Sequence, residues 1–416
     1  MTTPAVQIVA DDLTGATDSS VQFARAGWQT RLRLDESARD GQSNGTVSAR
    51  VTDARAMEDD EARQLTKEAV LAGMAGQDQR LFLKIDSTLR GSVTAQIDGA
   101  LTAWKTVRSE AIALVCPAYP AMGRTVIDGS LFVDGVPVDE TSIGTDPVTP
   151  VTTSSVAAIL PDSETLTGPI DHEGLRNAIE GARGSDTVTL IVDAGTDTDL
   201  STIAEVVAEF GSSVVPVGSA GLASALSTVW GSELESREWV APNCRRLAIV
   251  ASSLHTVTRE QIVALTEAMA GAVDVWGPSL TQILDEESRR AWLEGVRADD
   301  SSAPAVVIDA PAERTVQTDL VAQVIAETTA ELIGSDPSTG LMLLGGEGAR
   351  AVLKRLGANG LHIHATVREG IPIGTIDGGI RHGTTVVTKA GGFGRLSDVA
   401  HIAADLLGFE LEGKES

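Results

Sequence analysis

The chain reads as an α/β protein of two domains, each a largely parallel sheet flanked by helices, with a β-meander inserted in the first. Three observations predict this. Short apolar runs alternate with helical patterns along both halves of the chain, the mark of βαβ units. The alternation breaks once, in the polar and proline-bearing stretch 231–246, and then restarts. Glycine- and aspartate-bearing turns follow several of the apolar runs directly, as at the carboxyl ends of parallel strands, where ligands bind.

In chain order, strands are expected at Val6–Ala10, Thr30–Leu34, Thr46–Val51, Leu81–Ile85, Ala111–Cys116, Thr189–Val192 and Val214–Val217. Apolar residues near 3.6 spacing predict helices over Thr17–Ala26, Asp59–Gly73 and Val93–Trp104. Gly123–Thr141 alternates differently and carries two Asp-Gly turn signals, which predict the meander. After the polar stretch, strands are expected at Leu247–Ala251, Ala272–Trp276, Ala305–Ile308, Leu341–Leu344 and Thr384–Thr388, with helices between them, Ala349–Leu356 included. The domains are therefore placed at 1–235 and 245–410, and Glu410–Ser416 reads as a frayed tail.

At 416 residues the chain is long enough for two ordinary cores. A formal net charge of −26 argues against nucleic acid or an anionic membrane as partner, because phosphate neutralisation needs a basic face. No apolar run approaches the roughly 20 residues that span a bilayer. The N-terminus has neither the basic region nor the cleavage site of a signal peptide. Cys116 and Cys244 form no CxxC pair, so no disulfide framework or zinc site is suggested, and a cytoplasmic location is expected. An anionic ligand would need a local positive pocket against this acidic background. Lysine is scarce, yet Lys84 and Lys389 both fall in strand-end turns.

The first such turn is Ala10-Asp11-Asp12-Leu13-Thr14-Gly15-Ala16. One carboxylate there suits a polyol hydroxyl and can take its proton, while the other can cap the next helix. Thr14 and Gly15 offer N–H groups at that helix N-terminus. The second, Lys84-Ile85-Asp86-Ser87-Thr88-Leu89-Arg90-Gly91, combines two cations, a carboxylate and two hydroxyls, and suits a carboxylate clamp with Arg90 bidentate and Lys84 a point charge. Arg124, after Pro117-Ala118-Tyr119-Pro120, adds a third cation. Each has a plainer structural reading as a cap or a solvated charge. In the second half, Gly345-Gly346-Glu347-Gly348 and Gly391-Gly392-Phe393-Gly394 let backbone approach a ligand closely. With Ser252-Ser253-Leu254-His255 they point to nucleotide phosphates. No GxxxxGK[ST] loop, strand-associated GxGxxG or GxSxG elbow occurs, against P-loop ATPases, standard dinucleotide enzymes and serine hydrolases. His362 and His364 alternate on an expected strand and read as ordinary strand residues rather than metal ligands.

Taken together, these motifs resemble the four-carbon acid sugar kinase family. The resemblance rests on the turns at 10–16 and 84–91, Pro117-Ala118-Tyr119-Pro120 with Gly123-Arg124-Thr125, Asp146-Pro147 with Pro150-Val151, Gly218-Ser219-Ala220-Gly221-Leu222-Ala223, Gly345-Gly346-Glu347 and Lys389-Ala390-Gly391-Gly392-Phe393-Gly394. It runs in order from residue 10 to residue 394. It implies ATP-dependent phosphorylation of a sugar acid of the threonate, erythronate or 3-oxo-tetronate type, with an N-terminal domain for the acid and a C-terminal domain for the nucleotide. Carried over, Asp11, Asp12, Thr14, Lys84, Asp86, Ser87, Arg90 and Arg124 belong to the substrate, with Asp12 or Asp86 accepting the hydroxyl proton. Ser253, Gly345, Gly346, Glu347, Gly348 and Gly391 belong to the nucleotide, and the neighbouring His255 and Gly392 are further candidates for it. The chain departs from the family pattern at Gly348, where a Thr or Ser is usual, and at Ser252-Ser253-Leu254-His255, where Gly-Ser-x-Ser is usual.

The mechanism this implies is in-line phosphoryl transfer in an interdomain cleft, with Mg²⁺ bridging phosphates through ligands the sequence does not name. A non-catalytic sugar-acid-binding protein, a kinase for a longer sugar acid and a sugar-acid oxidoreductase are the competing readings. The acid, its stereochemistry, the hydroxyl phosphorylated and whether the chain forms a homodimer are left open by the sequence.

Overall fold

The computed structural model describes residues 3–34, 43–75, 78–183, 189–235, 239–299, 301–313, 315, 317–334, 336, 338–368 and 370–411. The chain divides into two compact units, residues 1–237 and 238–416. Within the expected boundary stretch, residues 236–238 lie outside the described residues, as do residues 412–416 of the expected tail.

The first unit contains β1 (Val6–Ala10), β2 (Gln29–Arg33), β3 (Thr46–Val51), β4 (Arg80–Lys84), β5 (Ile112–Cys116), β6 (Arg124–Ile127), β7 (Ser130–Val133), β8 (Val136–Pro137), β9 (Glu164–Leu166), β10 (Thr189–Val192) and β11 (Val214–Gly218). Its helices are α1 (Leu13–Arg25), α2 (Asp59–Gly73), α3 (Val93–Trp104), α4 (Val156–Ile159), α5 (His172–Arg183), α6 (Asp197–Phe210) and α7 (Ala220–Trp230). The main sheet runs β2-β3-β1-β4-β11-β5-β10-β9, and every described pairing in it is parallel. Strands buried on both faces by helices need apolar residues throughout, and β1, β5, β10 and β11 are buried at every position. The meander is a separate antiparallel sheet, β6-β7-β8. Its two turns are Asp128-Gly129 and Asp134-Gly135, with φ of 50°, 72°, 51° and 79°, the left-handed pairs that Asp-Gly hairpins require.

The second unit holds β12 (Arg246–Ala251), α8 (Thr256–Ala268), β13 (Val273–Trp276), α9 (Leu280–Leu284), α10 (Glu286–Arg297), β14 (Ala305–Asp309), α11 (Thr318–Ile333), β15 (Thr339–Leu344), α12 (Gly346–Arg355), β16 (Gly360–Arg368), β17 (Ile371–Asp377), β18 (Thr385–Lys389) and α13 (Asp398–Leu407). The strand order is β13-β14-β12-β15-β18-β17-β16. The first five are parallel neighbours, while β17 and β16 are antiparallel. Its core packs Leu247, Ile249, Met342, Leu344 and Val387 of the sheet against Ile262 and Leu265 of α8 and Val399 and Ile402 of α13.

The structure adds strands that the sequence pattern did not indicate. β17 contains Pro372 and Gly374, residues that argue against a strand. Gly374 is there because a Cβ would come within 2.1 Å of the His362 carbonyl oxygen on β16. β9 is a short and mostly exposed edge strand whose polar residues carry no apolar signal.

Both sheets place a topological switch beside their first strand. In the first unit the chain leaves β1 for β2 and β3 on one side and β4 on the other. In the second it leaves β12 for β13 and β14 on one side and β15 on the other. The crevice above such a reversal is where open α/β sheets bind ligands.

Candidate functional site

At the switch of the first unit, three strand ends deliver charge to one place. β1 leads into Asp11 and Asp12, β3 leads through Thr52 and Asp53 into a 3₁₀ turn carrying Arg55, and β4 leads into Asp86. Parallel pairing of Ala10 with both Val51 and Lys84 sets these ends side by side. Arg55 is the hub. Its Nε and Nη2 donate to Asp11 at 2.7 and 2.9 Å, its Nη1 lies 2.9 Å from Asp12 Oδ2, and its Nη2 lies 3.7 Å from Asp86 Oδ1. The turn that carries it is seated on Gly91, where a Cβ would come within 2.0 Å of the Arg55 carbonyl oxygen.

Asp12 is the N-cap of α1: its Oδ1 accepts from Gly15 N at 2.6 Å and its Oδ2 from Thr14 Oγ1 at 2.8 Å. Asp86 is held bidentately by Arg90, with both N–O distances 2.9 Å, and also accepts from the Thr88 hydroxyl and N–H. Arg90 Nη1 lies 3.5 Å from Asp146, whose other oxygen accepts from the Val148 and Thr149 amides. Lys84 is buried, donates to the Ile85 carbonyl at 2.7 Å, and lies over Gly15, where a Cβ would meet its Nζ at 2.8 Å.

The same surroundings separate the three carboxyl groups electrostatically. Burial pushes the Asp11 carboxyl up, against the opposing pull of Arg55. Burial also acts on Asp12, but Arg55 and Lys84 outweigh it and the group lies below its ordinary value. Asp86 is buried too, yet Arg55 and Arg90 hold it well below the usual carboxylate range. Of the three side chains, Asp12 is 26% exposed, Asp86 10% and Asp11 not at all. Asp12 therefore keeps a face for a small ligand.

This arrangement differs from the expected clamp. Arg90 is engaged by Asp86 rather than standing bare, and Lys84 is buried against its own strand end. Arg124 begins β6 and donates to the Met122 carbonyl instead of joining the carboxylates. Ser87 and Thr14 are half-buried beside the cluster residues. Arg55 was missed by sequence reasoning because its stretch, Thr52-Asp53-Ala54-Arg55-Ala56, has no glycine turn. Its signal was its place just after the β3 strand.

At the switch of the second unit, Ser252 and Ser253 follow β12 and the glycine turn follows β15. Gly345 has φ 120°, and Cβ atoms at Gly345 and Gly348 would come within 2.6 and 2.3 Å of Ser252 Oγ. Gly348 is thus the residue that leaves room for Ser252, whose hydroxyl donates to the Leu344 carbonyl. Gly346 and Glu347 open α12, with Glu347 exposed. The turn after β18 meets the same region. A Cβ on Gly391 would lie 2.0 Å from Ser253 Oγ, and one on Gly392 would lie 3.1 Å from His255 Nε2. His255 caps α8, its Nδ1 accepting from Val257 N at 3.2 Å. The imidazole thus fills the capping role usual for a hydroxyl or carboxylate. His364 stacks on Trp239 at 4.7 Å and bonds Thr375 Oγ1, away from these turns in the strand order.

The fold and these strand-end clusters define an α/β protein with a carboxylate–guanidinium site on one sheet and a glycine-lined backbone site on the other. Residues 6–226 match the family model for a sugar-binding N-terminal domain, and residues 248–397 that for a nucleotide-binding C-terminal domain. A D-threonate kinase of Bordetella bronchiseptica is 38% identical over 94% of this chain and 95% of its own length. A D-erythronate kinase of Heliobacterium modesticaldum is 28% identical over 97% of each chain. A solved structure from Salmonella typhimurium shares the fold with a TM-score of 0.77, at 21% identity over 96% of this chain and 98% of that one. The chain belongs to the four-carbon acid sugar kinase family, and it is an acid sugar kinase with a nucleotide substrate. Among the described residues no helix is long and apolar enough to cross a membrane.

Proposed function

We propose that the protein transfers the γ-phosphoryl group of ATP to a hydroxyl of a four-carbon sugar acid, the first unit binding the acid and the second the nucleotide. The observation that carries this reading is the Asp11–Asp12–Arg55–Asp86–Arg90 cluster at the β1/β4 switch. It joins hydrogen-bond acceptors for a polyol to guanidinium groups for a carboxylate within one small site. The acceptor hydroxyl donates to Asp12, the cluster carboxylate with an exposed face. Asp86, with both oxygens taken by Arg90 and only 10% exposed against 26% for Asp12, fits a positioning role better than that of a base. The acid's carboxylate takes the outer edge of Arg90 in place of Asp146, which stands there at 3.5 Å. Threonate, erythronate and 3-oxo-tetronate all fit this chemistry; relatives at 28–38% identity carry the first two names and relatives at 25–26% the third.

Phosphoryl transfer depends on positioning and charge neutralisation more than on covalent chemistry. Backbone amides of the turns after β12, β15 and β18 supply that positioning for the nucleotide phosphates. No group of three or more His, Cys, Asp or Glu placed to hold a metal occurs among the described residues. Mg²⁺ binds chiefly through phosphate oxygens and water and takes one or two carboxylates. Glu347, exposed at the first turn of α12, would offer such a carboxylate, and the ion would neutralise phosphate charge.

The test is ADP release with threonate, erythronate and 3-oxo-tetronate as acceptors. Turnover is expected with at least one of them. Asp12→Asn is expected to lower kcat by a factor of about 10²–10⁴, the usual worth of a positioned base, while ATP still raises Tm. Undiminished turnover removes Asp12 from the chemistry. Silence of the wild type with all three acids overturns the four-carbon reading.

A further inference from the structure

Lys389, the last residue of β18, is 2% exposed. Its ammonium lies 2.8 Å from the Ala390 carbonyl oxygen, 3.0 Å from that of Phe393, 3.3 Å from that of Gly391 and 3.4 Å from Thr258 Oγ1. Two residues of α8 act in the same direction. Thr258 donates to the Gly391 carbonyl at 2.7 Å, and Gln261 Nε2 to those of Phe393 and Arg395 at 3.1 and 2.8 Å. The carbonyls of the turn are therefore gathered onto its buried side.

A trans peptide directs its N–H opposite to its C=O, and the chain has no cis peptide bond among the described residues. Drawing the Ala390 and Gly391 carbonyls inward turns the Gly391 and Gly392 N–H groups outward. Neither N–H meets a protein acceptor among the described residues. Successive outward amides form a concavity that binds anions. Its rim is Ser253, against which Gly391 packs, and His255, against which Gly392 packs.

We propose that Lys389 is the positioning residue of the nucleotide site: its buried ammonium holds the turn's carbonyls inward, and so presents the Gly391 and Gly392 amides to a nucleotide phosphate. The proposal rests on the kinase reading and deepens it. Lys389 itself touches no phosphate; it acts through the backbone. A lysine that merely stabilised the turn would alter stability without separating the affinities for the two substrates.

The charge of this ammonium gives a second readout. Burial pushes the Lys389 ammonium down to about 8, with Asp398 of α13 opposing. The other charged or titratable groups around the turn are His255 at the start of α8, Arg395 within the turn, and Arg368 of β16, which lies 4.0 Å from Asp398. As pH rises through about 8 the ammonium loses its charge and one donor, and the grip on the carbonyls weakens.

The experiment measures the ATP-Mg²⁺ dissociation constant by calorimetry, and KM for each substrate, from pH 7 to pH 9.5 on the full chain. For Lys389→Met, ATP affinity is expected to fall tenfold or more, with KM for the acid changed less than twofold. Wild-type affinity is expected to weaken above pH 8, in His255→Asn as well, whereas Lys389→Arg binds ATP without that weakening. A folded Lys389→Met with wild-type ATP affinity overturns the proposal, as does an equal change in both substrates. If Lys389→Met does not fold, the wild-type profile and Thr258→Val decide. A flat profile, or undiminished ATP affinity without the Thr258 hydroxyl, overturns it. Absence of ATP binding in the wild type overturns the kinase reading and the proposal together. ATP binding without turnover of any acid overturns only the substrate assignment.

Discussion

At the residue scale, Arg55 decides how three carboxylates coexist at one sheet edge. Like charges this close disfavour common ionisation unless a cation lies among them. Arg55 supplies it, with Asp11, Asp12 and Asp86 together raising its own affinity for the proton against the effect of burial. Removing one partner from a buried ionic group leaves the others uncompensated. Arg55→Met is therefore expected to destabilise the chain by roughly 3–5 kcal/mol, the usual cost of breaking a buried pair. Urea unfolding monitored by circular dichroism checks this. A loss below about 0.5 kcal/mol, ordinary for a surface change, would mean that water screens the cluster in solution. Stability from Asp86 has a definite sign. Its folded carboxyl lies below the ordinary value, so its contribution is complete above that value and is lost as pH falls.

At the element scale, the turn between β15 and α12 depends on the turn after β12. Ser252 occupies the space that a side chain at position 348 would need, its Cβ lying 2.2 Å from an ideal Cβ there. The departure at Gly348 is thus sterically matched to Ser252 at the neighbouring strand end, while His255 departs separately, as the cap of α8. Gly348→Ser alone is expected to cost about 1–3 kcal/mol through overpacking. Combined with Ser252→Gly it is expected to recover most of that loss, giving a favourable coupling energy in a double-mutant cycle. Strict additivity of the two changes, read from urea midpoints, would show that the sites do not share this space. The resemblance marked both departures, but one sequence does not reveal that Gly348 and Ser252 touch.

At the scale of the whole molecule, charge dominates. A net charge of −26 on 416 residues makes the compact state self-repelling. The screening length falls from roughly 30 Å at 0.01 M salt to about 3 Å at 1 M, whereas buried ion pairs are screened much less. Tm is therefore expected to rise as NaCl increases over that range, and a falling Tm would show that attractive surface pairs prevail. The family assignment was legible at this scale because its motifs are spread in order along the chain. The fold class was legible too, since strands buried on both faces must be apolar and Asp-Gly hairpins announce themselves. The β16–β17 hairpin was harder to read. Gly374 and Pro372 look like breaks, and the need for glycine comes from a carbonyl on another strand.

What the sequence alone determined is the set of strand-end turns and their division by chemistry, acids and cations early, glycines late. Both are local properties, written in consecutive residues and in the period of the apolar pattern. What only the tertiary structure decided is which groups are held and which remain available. Arg55 enters the acid cluster through the parallel pairing of β1 with β3. Arg90 is taken by Asp86, and Lys389 turns inward to its own backbone. These outcomes depend on distances between segments far apart in the chain, and on burial, which converts a charge from solvated to committed.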